Sequence, residues 1–587
     1  MNEGLPDKVQ VRPMSKDPWR SALCKMAGLM ALAVLLVFSG CARSVTTTTT
    51  RTSAAAAKLT TTSSPAATST TTAKPTTTTT STPTTPTGPY GQLKIAVTNF
   101  SQESFEPPVV DLDGAALTHP LFDSMFWMEK GEVKPGIVEK WQMAADALSW
   151  IYSIRKGVKF HNGDNVTAAD VKFSIEQYLR KEVIQPNTRQ MVDRIDLLDD
   201  YTLRVYTKGK QPYLPYMESL PTPQQGAVMP KGYIEGKGWE VARVSPVGSG
   251  PWKFVRHNKG DSVEYEAQSS HWRQTPSFKN LTVILMPEET TRLAAIRTSE
   301  LDIGETTVDN VPTLEAAGVR TITTDFTGIV HQLFGAYDPR AKGTAIADVR
   351  VRKALALSID RDAIRKDFFK GKGGSPMPEQ MTQGTPEIDP EYWEKYYASF
   401  YKYDPAAAKK LLADAGYANG FPIKLYAFQL SGGAFLPKIS EITADYWQKI
   451  GVRAQVVNIE WTVIAPWRVP LSAQLLGQVF ALRMLSGRMA PGGLEAAYAS
   501  WGSTQLLSKA FPEVDKMITD IYNETDPAKR KQMIADTIKF TDDLFVAIPV
   551  AQAPLLLGLG PKVDAGGWVL PLSTSAYSTY AAAVKHR

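Results

Sequence analysis

Residues 91–587 predict an α/β fold on three observations. Short apolar runs alternate with helical patterns along the whole stretch, residues 150–179 join a strand, a tight turn and a capped helix in that order, and two later helices each open on Asp-Pro. A chain of 587 residues that is 43% hydrophobic and 10% aromatic, against 21% charged, holds enough apolar material for one large multi-lobed unit or several domains.

Taken in order, LKIAV at 93–97 reads as the opening strand. Within 150–179, WIYSIR is an extended apolar run, Asn162-Gly163 supplies the left-handed backbone of a hairpin-type turn, and Thr167 with Asp170 makes a capping pair. Val171, Ser174, Ile175, Tyr178 and Leu179 then fall on one helical stripe. SPVGSGPWKFV at 245–255 is a Gly/Pro loop feeding a strand. Its Gly248-Ser249-Gly250 lacks the further glycine and lysine of a phosphate loop, so a tight structural turn is expected. Residues 269–305 read as a strand, a helix carrying Arg292, Leu293 and Ile296, and the strand LDIGE. Asp404-Pro405 and Asp526-Pro527 each place an acceptor at the N-cap and proline at the first helical position, and Gly416 closes the first of these helices.

These segments also carry a resemblance. RKGVKFHNG…TAADV, SPVGSGPWKFV, the 269–305 run, DVRVRKALALSIDRDAI, YDPAAAKKLLADAGYANGF and TDPAKRKQMIADTIKF are similar, in this order, to the extracellular solute-binding proteins, family 5, the oligopeptide, dipeptide and nickel binders of ABC importers. The likeness covers nearly all of 91–550. It implies a bilobal periplasmic-binding-protein-like class II fold with an extra subdomain inserted in lobe I. Lobe I is expected at 91–330 with a return at 545–587, the subdomain near 136–244 and lobe II at 331–544, with hinge strands near 330–337 and 545–551. The implied function is the substrate-binding component of an ABC importer, a monomer that closes two hinged lobes on a solute and presents it to a membrane permease without doing chemistry. The alternatives are a surface solute-binding protein serving a sensor or complex, or an exported hydrolase.

Lys8, Arg12, Lys16, Arg20 and Lys25 form a positive flank before an uncharged apolar core at 26–38, too short for a comfortable membrane span. Phe38-Ser39-Gly40-Cys41 follows and resembles a bacterial lipoprotein signal, although Phe38 stands where Leu is preferred. The resemblance implies a signal peptide over 1–40 and lipidation of Cys41; an uncleaved anchor or a plain secretory signal is the other reading. In each case the body is exported, to the cell surface or periplasm. From 44 to 89 the chain is almost entirely Thr, Ser, Ala and Pro with no acidic residue, too poor in apolar groups to order itself. As a coil of about 45 residues this tether spans roughly 40 Å, and as polyproline II roughly 140 Å.

Several function classes are excluded. Cys24 and Cys41 are the sole cysteines, so the mature chain has no free thiol nucleophile, disulfide or Cys-based metal site. The net charge is +6, and 1–40 holds five basic and three acidic residues, which leaves +4 spread without a basic aromatic-rich stripe and argues against nucleic acid. No metalloprotease, nucleophile-elbow, Walker or dinucleotide motif occurs, so no cofactor is expected and an enzyme is not. His119, His161, His257, His271, His331 and His586 show no ligand spacing, so no metal site is expected. Asp542-Asp543 is read as a solvated helix end, since neighbours on a helix point about 100° apart.

Candidate solute contacts come by position within the resemblance. Asn99 and Glu103 lie in the loop after the first strand, Phe334 and Gly335 at the hinge, and Gln429 and Trp461 at ends of lobe II strands. Peptide binders of the class usually carry, in lobe II, an aspartate that pairs with the ligand's amino terminus. The corresponding stretch, 480–501, has none, and offers Arg483, Met484, Gly487, Arg488 and Trp501 instead. A buried guanidinium seeks a carboxylate or phosphate. The expectation is therefore a site unsuited to a free peptide amino terminus and tolerant of an anionic or neutral solute, unless the arginines face solvent or pair with Glu495 or Glu460.

Overall fold

A computed structural model of the chain describes residues 88–587, apart from 112, 130–131, 184–186, 221–224, 431, 485–488 and 566–580. The signal region, Cys41, the tether to residue 87, Gly487 and Arg488 thus lie outside the described residues. Residues 84–587 form one compact unit.

In chain order the strands are β1 (Gln92–Val97), β2 (Phe126–Glu129), β3 (Glu132–Pro135), β4 (Val138–Met143), β5 (Ser149–Ile154), β6 (Val192–Asp199), β7 (Thr202–Thr207) and β8 (Ser219–Leu220). There follow β9 (Trp252–Asn258), β10 (Ser262–Ala267), β11 (Asn280–Leu285), β12 (Ile303–Thr306), β13 (Arg320–Leu333), β14 (Pro422–Ala427), β15 (Arg453–Asn458), β16 (Val479–Met484) and β17 (Ala547–Leu559). Ten of them make one mixed sheet in the order β15-β14-β16-β13-β17-β12-β1-β11-β10-β9. The long antiparallel pair β13–β17, in register from Arg320↔Leu559 to Gln332↔Ala547, is its spine. On one side β17 pairs with β12 from Ile303↔Leu559 to Thr306↔Leu556; on the other β13 pairs with β16 from Gly328↔Met484 to Leu333↔Val479.

Each half has its own core. Leu93, Ile95, Trp252, Tyr265 and Leu281 are buried together on the β1 side, and Phe334, Leu355, Trp447, Phe480 and Ile548 on the β16 side. The separate sheet β4-β5-β7-β6 buries Tyr152, Ile175, Leu203 and Val205 in a third cluster, within the segment expected to be an inserted subdomain. All thirteen residues of β17 are buried, yet two are prolines, Pro549 and Pro554. Proline cannot donate to a ladder and belongs where a strand has an open side. Both sit before Leu556, where β12 begins to pair, so the missing N–H groups cost no bond to β12.

The local readings hold. Thr167 N–H donates to Asp170 Oδ2 (2.9 Å) at the start of the helix Ala168–Tyr178, and Val171, Ser174, Ile175 and Tyr178 are buried. Gly163 has φ +96°, the turn conformation expected after Asn162. Asp404 Oδ1 accepts from Ala407 N–H (2.8 Å) and Asp526 Oδ1 from Lys529 N–H (2.9 Å), and Gly416 sits at φ +89° behind the first of these helices.

One expectation is corrected. Asp542 is not solvated: it is 3% exposed, and Tyr397 O–H donates to its Oδ1 (3.3 Å), because the end of the helix Pro527–Asp542 packs into an aromatic cluster with Tyr397 and Tyr401. Burial holds its carboxyl well above the usual range. Asp543 alone is exposed.

The 245–255 loop is a structural turn. Gly250 N–H donates to the Leu121 carbonyl (2.8 Å), His161 N–H to the Gly248 carbonyl (2.7 Å), and His161 Nε2 lies 2.9 Å from the Gly250 carbonyl. Two of the motifs that carry the resemblance are therefore clasped to each other. A Cβ on Gly248 would sit 2.0 Å from the Leu121 carbonyl oxygen, a backbone atom that cannot step aside. Gly248→Ala is expected to destabilise the fold by about 3 kcal/mol or more, measured by urea unfolding against the wild type, with His161→Ala milder.

Candidate functional site

In a sheet of this kind ligands lie beyond the carboxyl ends of the strands, where the strand order reverses. β1 runs parallel to β11 and β12, and β14 parallel to β15 and β16, so both parallel groups end towards the middle of the β13–β17 spine. The loops that follow β1, β12 and β14 meet there.

The loop after β1 is tied into a fixed shape. Asn99 Oδ1 accepts from Ser101 N–H (2.7 Å), Ser101 O–H donates to Asp111 Oδ2 (2.7 Å), and Asn99 Nδ2 reaches Asp113 Oδ2 (3.4 Å). Asp113 in turn lies 3.8 Å from the guanidinium of Arg483 on β16. Beside them Gly432 N–H, in the loop after β14, points at both oxygens of Glu305 on β12 (3.0 and 3.2 Å). A Cβ on Gly433 would meet the Arg483 side chain at 3.2 Å, so that loop lies directly over the arginine. Two carboxylates of the β1 side thus clasp a guanidinium and a backbone N–H of the β16 side.

Burial governs the electrostatics. Arg483 is 8% exposed, and burial pushes its pKa down against the opposing pull of Asp113, Glu305 and Asp111. Burial raises the Glu305 carboxyl to about 7, opposed by Arg292, the Gly432 N–H and Arg483 and assisted by Glu289. Arg292 itself donates to the backbone carbonyls of Met286 (2.7 Å) and Glu305 (3.3 Å).

A crevice of about 710 Å³, counting its open mouth, adjoins this clasp. Its wall takes Glu305 and Asp309 from the β12 end, Phe368, Phe369, Phe435 and Lys438 from the β16 side, and Leu555 and Leu556 from the spine. A second, more open groove of about 890 Å³ lies between Gln190, Lys208 and Gln211 of the inserted segment and Glu495, Trp501 and Tyr522. The Trp501 indole N–H (3.0 Å) and the Tyr522 hydroxyl (2.6 Å) both donate to Glu495. Nearby, Tyr213 O–H donates to Glu387 (2.8 Å), which Arg530 Nε also meets (2.6 Å) while its guanidinium lies 4.7 Å from the Tyr213 ring centre, joining the inserted segment to the β16 side.

The residues singled out from sequence are dispersed. Asn99 and Arg483 come together through Asp113. Glu103 instead accepts from Gly260 N–H (2.5 Å) and pairs with His257 Nε2 (2.8 Å), which fastens the loop to the β9–β10 hairpin. Phe334 is 1% exposed and packs on Phe480 (ring centres 4.5 Å apart), so it is core in this conformation. Gly335, at φ +81°, fits under Leu476. Met484 is buried on β16 and Gln429 is exposed just past β14. Trp461 is half-buried against Phe428 (4.9 Å), and Trp501 belongs to the second groove. Arg483 pairs with neither Glu495 nor Glu460; its nearest carboxylate is Asp113 at 3.8 Å, and its buried Nε has no hydrogen-bond partner among the described residues. Asp113 and Glu305 went unnoticed in the sequence; the signal for Glu305 was its place at the end of the LDIGE strand. Among the described residues no group of three or more His, Cys, Asp or Glu could hold a metal, and no helix is long and apolar enough to cross a membrane.

The chain matches the family described as bacterial extracellular solute-binding proteins, family 5, over residues 132–504. It is 25% identical over 403 residues to the dipeptide-binding protein of Escherichia coli (strain K12), covering 62% of this chain and 70% of that protein. It is 24% identical over 386 residues to heme-binding protein A of Haemophilus influenzae, covering 60% and 68%. Among solved structures, MoaA in complex with mannopinic acid from A.tumefacien R10 superposes with a TM-score of 0.69 at 22% identity, covering 85% of this chain and all of that one. That likeness shows the expected bilobal class II fold.

Glu305 makes the clasp sensitive to pH. Its folded pKa of about 7 lies above the ordinary 4.5, so its contribution to stability is fully present below 4.5 and is lost as pH rises through 7. Across that window the wild type is expected to lose about 3 kcal/mol relative to Glu305→Gln, read from urea midpoints of both proteins between pH 4.5 and 8.

Proposed function

The chain belongs to the bacterial extracellular solute-binding proteins, family 5, and is a binding component and not an enzyme; from that premise we propose that it serves an ABC importer, taking a solute into the crevice between its lobes and handing it to a membrane permease. The observation that carries this reading is the clasp itself. Asp113 and Glu305 approach from one side of the spine, Arg483 and Gly432 from the other, and the crevice opens beside them. Groups of two cores that face each other across β13 and β17 are what a closing cleft requires.

In this reading lobe I comprises 91–330 and 545–587, with 136–244 as its inserted subdomain, and lobe II comprises 331–544. The shared core of Leu93, Leu281 and Leu557 and that of Leu355, Trp447 and Phe480 support two lobes, with Ile548 of the return strand packed into the second. The protein acts as a monomer. Asn99 and Arg483 join the clasp beside the crevice through Asp113, Met484 is buried next to Arg483 on β16, and the proposed contacts Gly487 and Arg488 lie outside the described residues. Gln429 and Trp461 flank lobe II, Trp501 floors the second groove, and Glu103, Phe334 and Gly335 support from behind. The relatives are named for a dipeptide and for heme, and a solved neighbour holds mannopinic acid, so this fold serves chemically different solutes and the family alone does not assign one.

The family is extracytoplasmic, and the leader followed by Ser39-Gly40-Cys41 supports lipid anchoring at the membrane with the Thr/Ser/Pro stretch as a tether. Cys41→Ser is expected to abolish palmitate labelling and move the protein to the soluble fraction; unchanged labelling would exclude the anchor.

Solute binding should also compact the molecule. The solute that co-purifies, released by mild denaturation and identified by mass spectrometry, is expected on re-addition to raise the melting temperature and lower the radius of gyration in small-angle scattering. Tight binding with neither change would sink the hinged-lobe reading.

A further inference from the structure

We propose that the crevice beside the clasp accepts an apolar primary amine, with its ammonium between the carboxylates of Glu305 and Asp309 and its apolar body against Phe368, Phe369 and Phe435. The inference deepens the reading of this crevice as the solute site and rests on it.

The charges that face the crevice set the sign. Of its lining residues Lys438 is the cation, and Lys438 Nζ is already 2.8 Å from Glu441 on its own helix. Glu305 and Asp309 are the anions, the first in the buried wall and the second exposed at the rim. Behind the wall each cation has other partners. Arg292 spends its N–H groups on backbone carbonyls, and Arg483 lies against Asp113 with Asp111 close by. Glu289, on the Arg292 helix, is held by Thr307 N–H (2.9 Å) and Asn310 Nδ2 (2.8 Å) and adds to the negative field. Arg483, the cation that the sequence appeared to offer to a solute, thus has Asp113 as its nearest carboxylate and does not line the crevice, whose wall carries two carboxylates against one lysine.

Glu305 has capacity to spare. A carboxylate accepts about four hydrogen bonds, and Gly432 N–H supplies one bifurcated contact. Its charge is undercompensated in the free protein, which is why burial lifts it to about 7. An ammonium arriving in the crevice supplies the missing counter-charge in a partly desolvated site, where charge-assisted hydrogen bonds are strong. The three phenyl rings add apolar contact and negative ring faces to the same cation. Only about 160 Å³ of the crevice is open to the centre of a water-sized sphere, so the apolar body it takes is small.

Three probes of matched shape decide the sign: 2-phenylethylamine, 2-phenylethanol and 3-phenylpropionate, titrated calorimetrically into the full-length protein freed of co-purified solute, at pH 6, 7 and 8. The amine is expected to bind about tenfold more tightly than the alcohol, and the anion most weakly. The amine's affinity should rise with pH through about 7, with a proton released on binding that appears as a dependence on the buffer's ionisation heat. Glu305→Gln should bring the amine to the alcohol's level and flatten the pH profile. Asp309→Asn, on the exposed rim and therefore safe for folding, should weaken the amine about threefold. Tightest binding of the phenylpropionate, equal binding of amine and alcohol, or no binding of any of the three overturns the inference. Compaction on the co-purified solute is scored separately, so the solute-binding reading can survive each of those outcomes.

Discussion

Everything in this molecule hangs on the pairing of β13 with β17. The other eight strands of the large sheet attach to one side of that ladder or the other, and between Thr306 and Gly328 the two strands carry the sheet by themselves. The ladder is interrupted at Thr323/Asp325 and again at Ile329/Val330, one irregularity on each side of the crossing. Bulges bend and twist a strand locally. The sheet is therefore continuous in hydrogen bonding and yet has two places where its halves can rotate against each other without tearing it.

The same crossing explains why charge is buried where it is. Arg483 and Glu305 lie at strand ends that face each other across the spine, and neither is exposed enough for water to compensate it. Removing one partner of a buried pair is costly because the other is left without compensation. The clasp therefore sets charged groups of the β1 side against those of the β16 side, and Glu387 likewise takes Tyr213 and Arg530 from elements far apart in the chain.

What the sequence disclosed was local. Thr167 with Asp170, the Asn162-Gly163 turn and the two Asp-Pro helix starts involve residues within a few positions, and chemistry at that range survives any tertiary context. The family resemblance extended this to the lobes, but the solute contacts proved harder. The partner of Arg483 is Asp113, far back in the chain, and no spacing rule could pair them. Asp542 looked like a solvated helix end because its fate depends on Tyr397, which the topology brings in from another helix. Phe334 was placed at the hinge, yet whether an aromatic there lines a cleft or fills a core depends on Phe480 across the sheet. Residues that meet over long separations are legible in the fold and not in the string.

Among the described residues β17 is also the last long strand to leave the ribosome, and it is the partner without which β13 has no second side and neither half-sheet is joined to the other. Until it arrives, the nascent chain holds an unpaired apolar edge next to two unfinished cores, the kind of surface that invites wrong pairing. A polypeptide built this way is poorly suited to finishing its fold while still being made. It is well suited to being held unfolded, threaded across a membrane, and completed in one late step on the far side.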